Sequence, residues 1–155
     1  MKKLLFVLLV ALVATGVNAQ THKQRGKHKT KPVSVEQRVI GRHMLSLQWI
    51  SWDYFGSCDI KRQADGTLTC KGEQLSKQND DYLRIDGTIE IVDAKHLKFT
   101  GTIVMSIHHI QNGEECLREG TFDFVATGNR RYWRMQQMEN PCDGCTDYVD
   151  IYFKR

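Results

Sequence analysis

From Met44 to the C-terminus the apolar residues recur at every second position, and this alternation constrains the fold more than any other feature of the chain. Successive side chains of an extended strand point to opposite faces, so a period of two marks one buried face and one wet face. In "YLRIDGTIEIV" Leu83, Ile85, Gly87, Ile89 and Ile91 share a face. In "LKFTGTIVMSI" Leu97, Phe99, Gly101, Ile103, Met105 and Ile107 share one, and in "CLREGTFDFVA" Cys116, Arg118, Gly120, Phe122, Phe124 and Ala126 do. Leu45, Leu47 and Trp49 mark a first strand. Ile60, Leu68 and Cys70 mark two strands flanking the turn "ADG". Trp133 and Met135, then Val149, Ile151 and Phe153, mark the last two.

The turns supply a register. Asn112–Gly113 is a two-residue hairpin signal; it sets Ile103 opposite Phe122, Met105 opposite Gly120 and Phe99 opposite Ala126. Gly128–Asn129 suits a II′ turn and sets Phe124 opposite Trp133 and Phe122 opposite Met135. A three-residue loop at Asp93–Lys95 sets Ile89 opposite Phe99 and Gly87 opposite Gly101. A slip of one residue would turn an apolar face outward. The expected fold is all-β, with eight antiparallel strands in up-and-down order near 44–53, 56–63, 67–75, 81–92, 96–110, 114–126, 130–138 and 146–154. A twisted meander of this length closes into a barrel, which removes its edges. Gly87, Gly101 and Gly120 lie mid-strand, where glycine permits bends. Before the strands, Ser34 and Gln37 have capping-box spacing and Gly41 is a natural stop, so a short helical turn is expected.

The N-terminus reads differently. "MKKLLFVLLVALVATGVNA" has two lysines, an apolar run and small residues ending at Ala19, the pattern of a secretory signal peptide over residues 1–19. The run is shorter than the ~20 residues of a spanning helix, so no membrane span is expected after cleavage, and the protein is expected in the periplasm or secreted. Residues 20–33 form a basic arm, whose "QTHKQRGKHKTKP" holds five Lys or Arg and no acid. Such a segment buries too little apolar surface to offset its chain entropy and is expected to be disordered. It suits contact with an anionic envelope surface. With two lysines in the leader and five basic groups in the arm, residues 33–155 keep 22 − 7 = 15 basic against 18 acidic groups, a mildly acidic barrel domain over 34–155.

Strand order, size and leader together resemble small exported bacterial barrels of the lipocalin-like kind. "VIGRHMLSLQW" is similar in placement to the Gly-x-Trp opening of that fold, with His43 where the tryptophan would stand. The resemblance implies a barrel that holds an apolar ligand. Among residues read as inward, Trp49, Phe99, Met105, Arg118, Phe122 and Trp133 are the candidate ligand contacts.

Export gives the five cysteines meaning, because thiols oxidise outside the cytoplasm. The Gly128–Asn129 register places position 116 opposite 141, so Cys116 and Cys142 converge at one barrel end and are expected to form a disulfide. Cys145 and the start of the Cys58 strand lie at the same end, with His109 opposite Cys116. Cys70 is only the diagonal neighbour of Cys58. Two other uses of "NPCDGC" compete. A Cys142–Cys145 redox couple lacks the helix N-terminus that lowers a thiol pKa, and Asp143 and Asp147 disfavour a thiolate. A zinc site with His109 needs thiolates that an oxidising compartment opposes. His108 and His109 point to opposite faces, and Asp80 and Asp81 are expected in solvent.

Tyr132 and Arg134 on one strand, and Tyr148 and Tyr152 on the next, face outward as an aromatic surface patch of the kind that binds partners. No nucleophile-elbow, zincin, P-loop or dinucleotide fingerprint occurs. The sequence therefore reads as an exported, non-enzymatic binding protein without cofactor, metal or specific nucleic-acid partner. Its ligand is a small apolar molecule in the barrel or a macromolecule, such as a protein partner, on the outer face. The alternatives are a structural or interaction protein with a fully packed barrel, or a thiol oxidoreductase or zinc-dependent protein using the cysteine-rich end.

Overall fold

The alternating apolar face becomes the inside of a closed barrel in a computed structural model, which describes residues 33–154. The expected leader, and the arm up to Pro32, lie outside the described residues. A short helix α1 (Val35–Val39) precedes β1 (Gly41–Leu47), β2 (Gly56–Arg62), β3 (Leu68–Leu75), β4 (Tyr82–Ile91), β5 (His96–Ser106), β6 (Glu115–Val125), β7 (Tyr132–Met135) and β8 (Val149–Tyr152). Each strand pairs antiparallel with the next, and β1 pairs with β8, so no edge is left open.

The helix forms where its caps predict. Ser34 Oγ accepts from the Gln37 backbone N–H at 3.1 Å and Gln37 Oε1 accepts from the Ser34 N–H at 3.0 Å, a complete capping box. Gly41, at φ +127°, then takes the chain into β1 through a backbone conformation that side-chain-bearing residues avoid. Mid-sheet, Gly87 faces Gly101. A Cβ on either would lie 2.3 Å from a carbonyl oxygen of the facing strand, so the pair lets β4 and β5 approach more closely than other residues allow.

Two registers differ from expectation, both by an even number of residues. β5 and β6 pair Ile103 with Arg118, Met105 with Cys116 and Phe99 with Phe122, four residues from the hairpin that Asn112–Gly113 alone would close. Asn112 and Gly113 do take positive φ, as the turn requires. However, an additional turn closed by Ile110 N–H to Ile107 O at 3.0 Å takes up four residues on the β5 side. β6 and β7 pair Phe124 with Met135, two residues from the expected register, although Arg130 N–H does close a turn onto Thr127 O around Gly128–Asn129. Arg118 therefore faces Ile103 rather than Ile107, Met105 rather than His109 faces Cys116, and position 141 is not opposite Cys116. The pairings of Ile89 with Phe99 and of Gly87 with Gly101 are as expected. Strands β7 and β8 are four residues each, shorter than expected, because 136–148 turns into a loop.

The inside is filled. A hollow wide enough for a ligand would leave its walls accessible to water, yet the inward apolar side chains of the barrel, apart from Trp49, Ile91 and Phe153 at its ends, are between 0 and 6% exposed. Phe99 packs against Phe122 and Phe124 with ring centroids 6.2 and 6.1 Å away. Outside, the strands carry charges such as Lys71 and Asp86 (2.8 Å apart) and Arg84 and Glu73 (3.6 Å). This apolar-in, polar-out alternation is the reverse of a transmembrane barrel. Among the described residues no helix is long and apolar enough to cross a membrane.

Candidate functional site

The inner candidates fall into three different places. Phe99 and Phe122 lie in the packed interior. Met105, Arg118 and Trp49 belong to the cysteine-rich end. Trp133 lies on β7 and lines a groove at the opposite, helix-capped end.

At the cysteine-rich end, the loop after β7 folds back as a small hairpin. Asp147 N–H donates to Met138 O at 2.7 Å and Asn140 N–H to Cys145 O at 2.8 Å. The hairpin tip carries "NPCDGC" and is stapled to β6 by a Cys116–Cys142 disulfide with Cα atoms 6.0 Å apart. Beneath it lies a buried ion pair, Arg118 Nη1 to Asp147 Oδ2 at 3.3 Å. Trp49 Nε1 donates to the other Asp147 oxygen at 3.0 Å, and Arg118 Nη2 also donates to Gln137 O. Burial pushes the Asp147 carboxyl above its ordinary value, against the opposing pull of Trp49 and Arg118. Burial likewise lowers Arg118. The space enclosed by Trp49, Met105, Asn140 and Asp147 is about 10 Å³, at most about one water. Asp147 thus fixes the loop to the barrel and leaves no room for a substrate.

Cys145 remains free and partly exposed. Partial burial, then Asp143, push its thiol above the ordinary value, which makes it a poor nucleophile at neutral pH. Cys58 and Cys70 are free and buried, and the neighbouring Cys58, then burial, push the Cys70 thiol well above its ordinary value. His109 packs edge-on against Trp49 at 5.9 Å. Asp81, expected in solvent, is buried and accepts from the His108 N–H at 2.6 Å, ordering the β3–β4 and β5–β6 loops together. Among the described residues no group of three or more His, Cys, Asp or Glu is placed to hold a metal.

The outward patch is a packed cluster rather than loose surface aromatics. Arg134 donates from Nε and Nη2 to both oxygens of Asp150, at 2.8 and 2.7 Å, and Asp150 is fully buried on the outer face between β7 and β1. The guanidinium lies 4.0 Å from the Tyr148 ring centroid and 5.2 Å from that of Tyr132. Tyr152 stacks on Tyr132 at 5.2 Å and on Phe55 at 5.0 Å. The tyrosines cover an ion pair, and each is half-buried in doing so.

The groove at the helix-capped end is of ligand size, about 490 Å³. His43 explains why α1 sits there: one ring nitrogen lies 2.6 Å from Val39 O and the other 2.8 Å from Tyr152 O, tying the helix to β1 and β8. Val35 and Val39 from α1, Ala94 from the β4–β5 loop, Trp133 and Phe153 form its apolar walls. Trp133 and Phe153 meet at 4.4 Å. Val33, Gln37, Arg38, Arg131 and Lys154 complete the lining, and among the described residues no acidic one does. Trp133 is 2% exposed, and its indole N–H has no hydrogen-bond partner among the described residues.

The PM1083 family model matches residues 18–153. The chain belongs to this family. It is similar to "Uncharacterized protein PM1083" of Pasteurella multocida (strain Pm70), with 42% identity over 153 residues that cover 99% of this chain and 96% of the relative. No solved structure matches. Family membership therefore supplies no site residue, and the geometry carries the argument.

Sequence reasoning did not find Arg38, Arg131 or Ala94, because they lie in loop and helix positions without periodicity. Phe153 was legible as inward, but not as a groove wall. Asp147 and Asp150 were invisible as buried groups, since a carboxylate in a strand or loop ordinarily stays in water.

Proposed function

We propose that this is an exported, non-enzymatic binding protein that holds a small apolar molecule in the groove beneath α1, outside the barrel proper. The observation that carries the reading is the contrast in space: mid-barrel side chains such as Leu45, Phe99, Ile103 and Phe124 that are fully buried, against a groove of about 490 Å³. A filled barrel leaves the lipocalin-like mode of ligand holding without room. The same rigid barrel fixes β7, α1 and the C-terminal Phe153 around one concave apolar surface, which is where ligand sites form. The basic arm fits the same reading. Its five unopposed cations in residues 20–32 would concentrate the protein at an anionic envelope surface.

The test is an equilibrium titration of the mature protein with the neutral apolar fluorophore N-phenyl-1-naphthylamine. Saturable one-to-one binding is expected. Ala94→Trp, which places a bulky ring on a groove wall at a loop position, should weaken that binding at least tenfold without lowering the melting temperature. Absence of saturable binding, or binding indifferent to Ala94→Trp, would overturn the proposal.

A further inference from the structure

The groove beneath α1 carries a charge pattern and an unused donor that apolar binding alone does not explain. Its walls are apolar, yet Arg38 and Arg131 border them, and among the described residues neither forms an ion pair and no carboxylate lines the space. Lys154 is different, because its ammonium donates to Gln37 O at 2.7 Å and to Ile40 O and so closes the C-terminal end of α1. Two guanidiniums are therefore left for a ligand. The second, independent observation is the Trp133 indole. A buried N–H without an acceptor is costly, of the order of 1–3 kcal/mol, and native proteins rarely leave one. Trp133 lines the groove and is 2% exposed, but its Nε1 is itself closed to water, so a ligand acceptor reaches it only with a shift of the ring.

We propose, resting on the binding reading above, that the ligand is a small amphiphile with an anionic head, of the class of a medium-chain carboxylate. Its apolar chain packs against Trp133, Phe153 and Val35, its carboxylate lies against Arg38 and Arg131, and one of its oxygens accepts from Trp133 Nε1. Guanidiniums suit a carboxylate because their paired N–H groups match its two oxygens. A neutral chain would leave both guanidiniums and the indole without partners. A cationic one would meet like charge, which a site of this composition rejects.

The experiment compares three ten-carbon ligands on the mature protein by isothermal titration calorimetry: decanoate, decanol and decyltrimethylammonium. Decanoate is expected to bind at least tenfold tighter than decanol, with the cation weakest. The double variant Arg38→Gln/Arg131→Gln changes two exposed residues and should keep the fold. It should bring decanoate down to the level of decanol while leaving decanol binding unchanged. Trp133→Phe keeps an aromatic wall but removes the donor, and should weaken decanoate about fivefold or more with a smaller effect on decanol. If decanoate and decanol bind equally to wild type, the anionic head is wrong while the apolar groove stands. If none of the three binds, the groove reading itself fails. If decanoate binds tighter but the arginine pair does not matter, its carboxylate is held elsewhere and the assignment of the groove is overturned.

Discussion

Replacing Phe99 by alanine separates a filled barrel from a hollow one. Phe99 is fully buried, and its ring lies between those of Phe122 and Phe124 at 6.2 and 6.1 Å. On the other side its ring tip closes onto Gly87, where even an added Cβ would lie 2.9 Å away. The walls around it are backbone of paired strands and rings held by one another, so the space left behind has little means to collapse. An unrelaxed void of roughly 100 Å³ adds about 2.4 kcal/mol at about 24 cal/mol per Å³, on top of a transfer loss of about 2 kcal/mol. The expected loss is about 4 kcal/mol. For a chain of this size that lowers the melting temperature by roughly 10–15 °C. Urea unfolding followed by far-UV circular dichroism measures it, and the midpoint should fall while the slope stays constant. The variant should also acquire affinity for benzene, since an apolar void of this size stays dry and accepts apolar molecules. A loss below about 1 kcal/mol with an unchanged slope would mean that Phe99 lines open space. The barrel interior would then have room for a ligand, and the groove beneath α1 would lose its claim to be the site.

Three further outcomes follow from the same structure. Cys116→Ser removes a bond between residues 26 apart, for which the chain-entropy relation gives about 3.5 kcal/mol; equal urea midpoints for wild type and variant would show that the loop is not stapled. Non-reducing peptide mapping should recover Cys116 linked to Cys142, and native alkylation should label Cys145 alone, with Cys58 and Cys70 reacting only after denaturation. Labelling of Cys70 in the folded protein would contradict its burial. Asp123 is held below its ordinary value of 3.8, chiefly by its hydrogen bond to His96. Its folded value is depressed, so its contribution is present above 3.8 and lost as the pH falls through the lower folded value. The stability deficit of Asp123→Asn against wild type, measured by urea unfolding at stepped pH, should therefore be constant at pH 5–6 and shrink below 3.8; a deficit that persists to pH 2 would contradict the linkage.

The barrel was readable because its errors could only be even. Turn residues located hairpins, but an extra turn at Ile107–Ile110 moved one ladder by four residues, and the β6–β7 ladder moved by two. Each shift kept the inward set of each strand, such as Phe99, Ile103, Phe122 and Phe124, facing inward. Burial of a face selects parity and leaves the absolute register to loop geometry that composition does not encode. The disulfide survived its own wrong premise for a related reason. Position 141 does not face Cys116, yet the loop after β7 folds back over the same barrel end, and a loop closing there delivers Cys142 with some latitude in register.

The groove and the buried carboxylates show where such reading stops. Periodicity reports which side chains leave water together, and so it finds walls. A concave site at a barrel end is made where α1, the β4–β5 loop, β7 and the C-terminus meet, and no two of those are near in sequence. The one sequence hint was His43 in place of an expected tryptophan. Structurally it is the group that ties Val39 and Tyr152 together and thereby seats α1 over the barrel end. A tryptophan there has a single ring nitrogen and could meet only one of those two carbonyls, where the two ring nitrogens of His43 meet both. Substituting it would free either the helix or β8, and with it one wall of the groove.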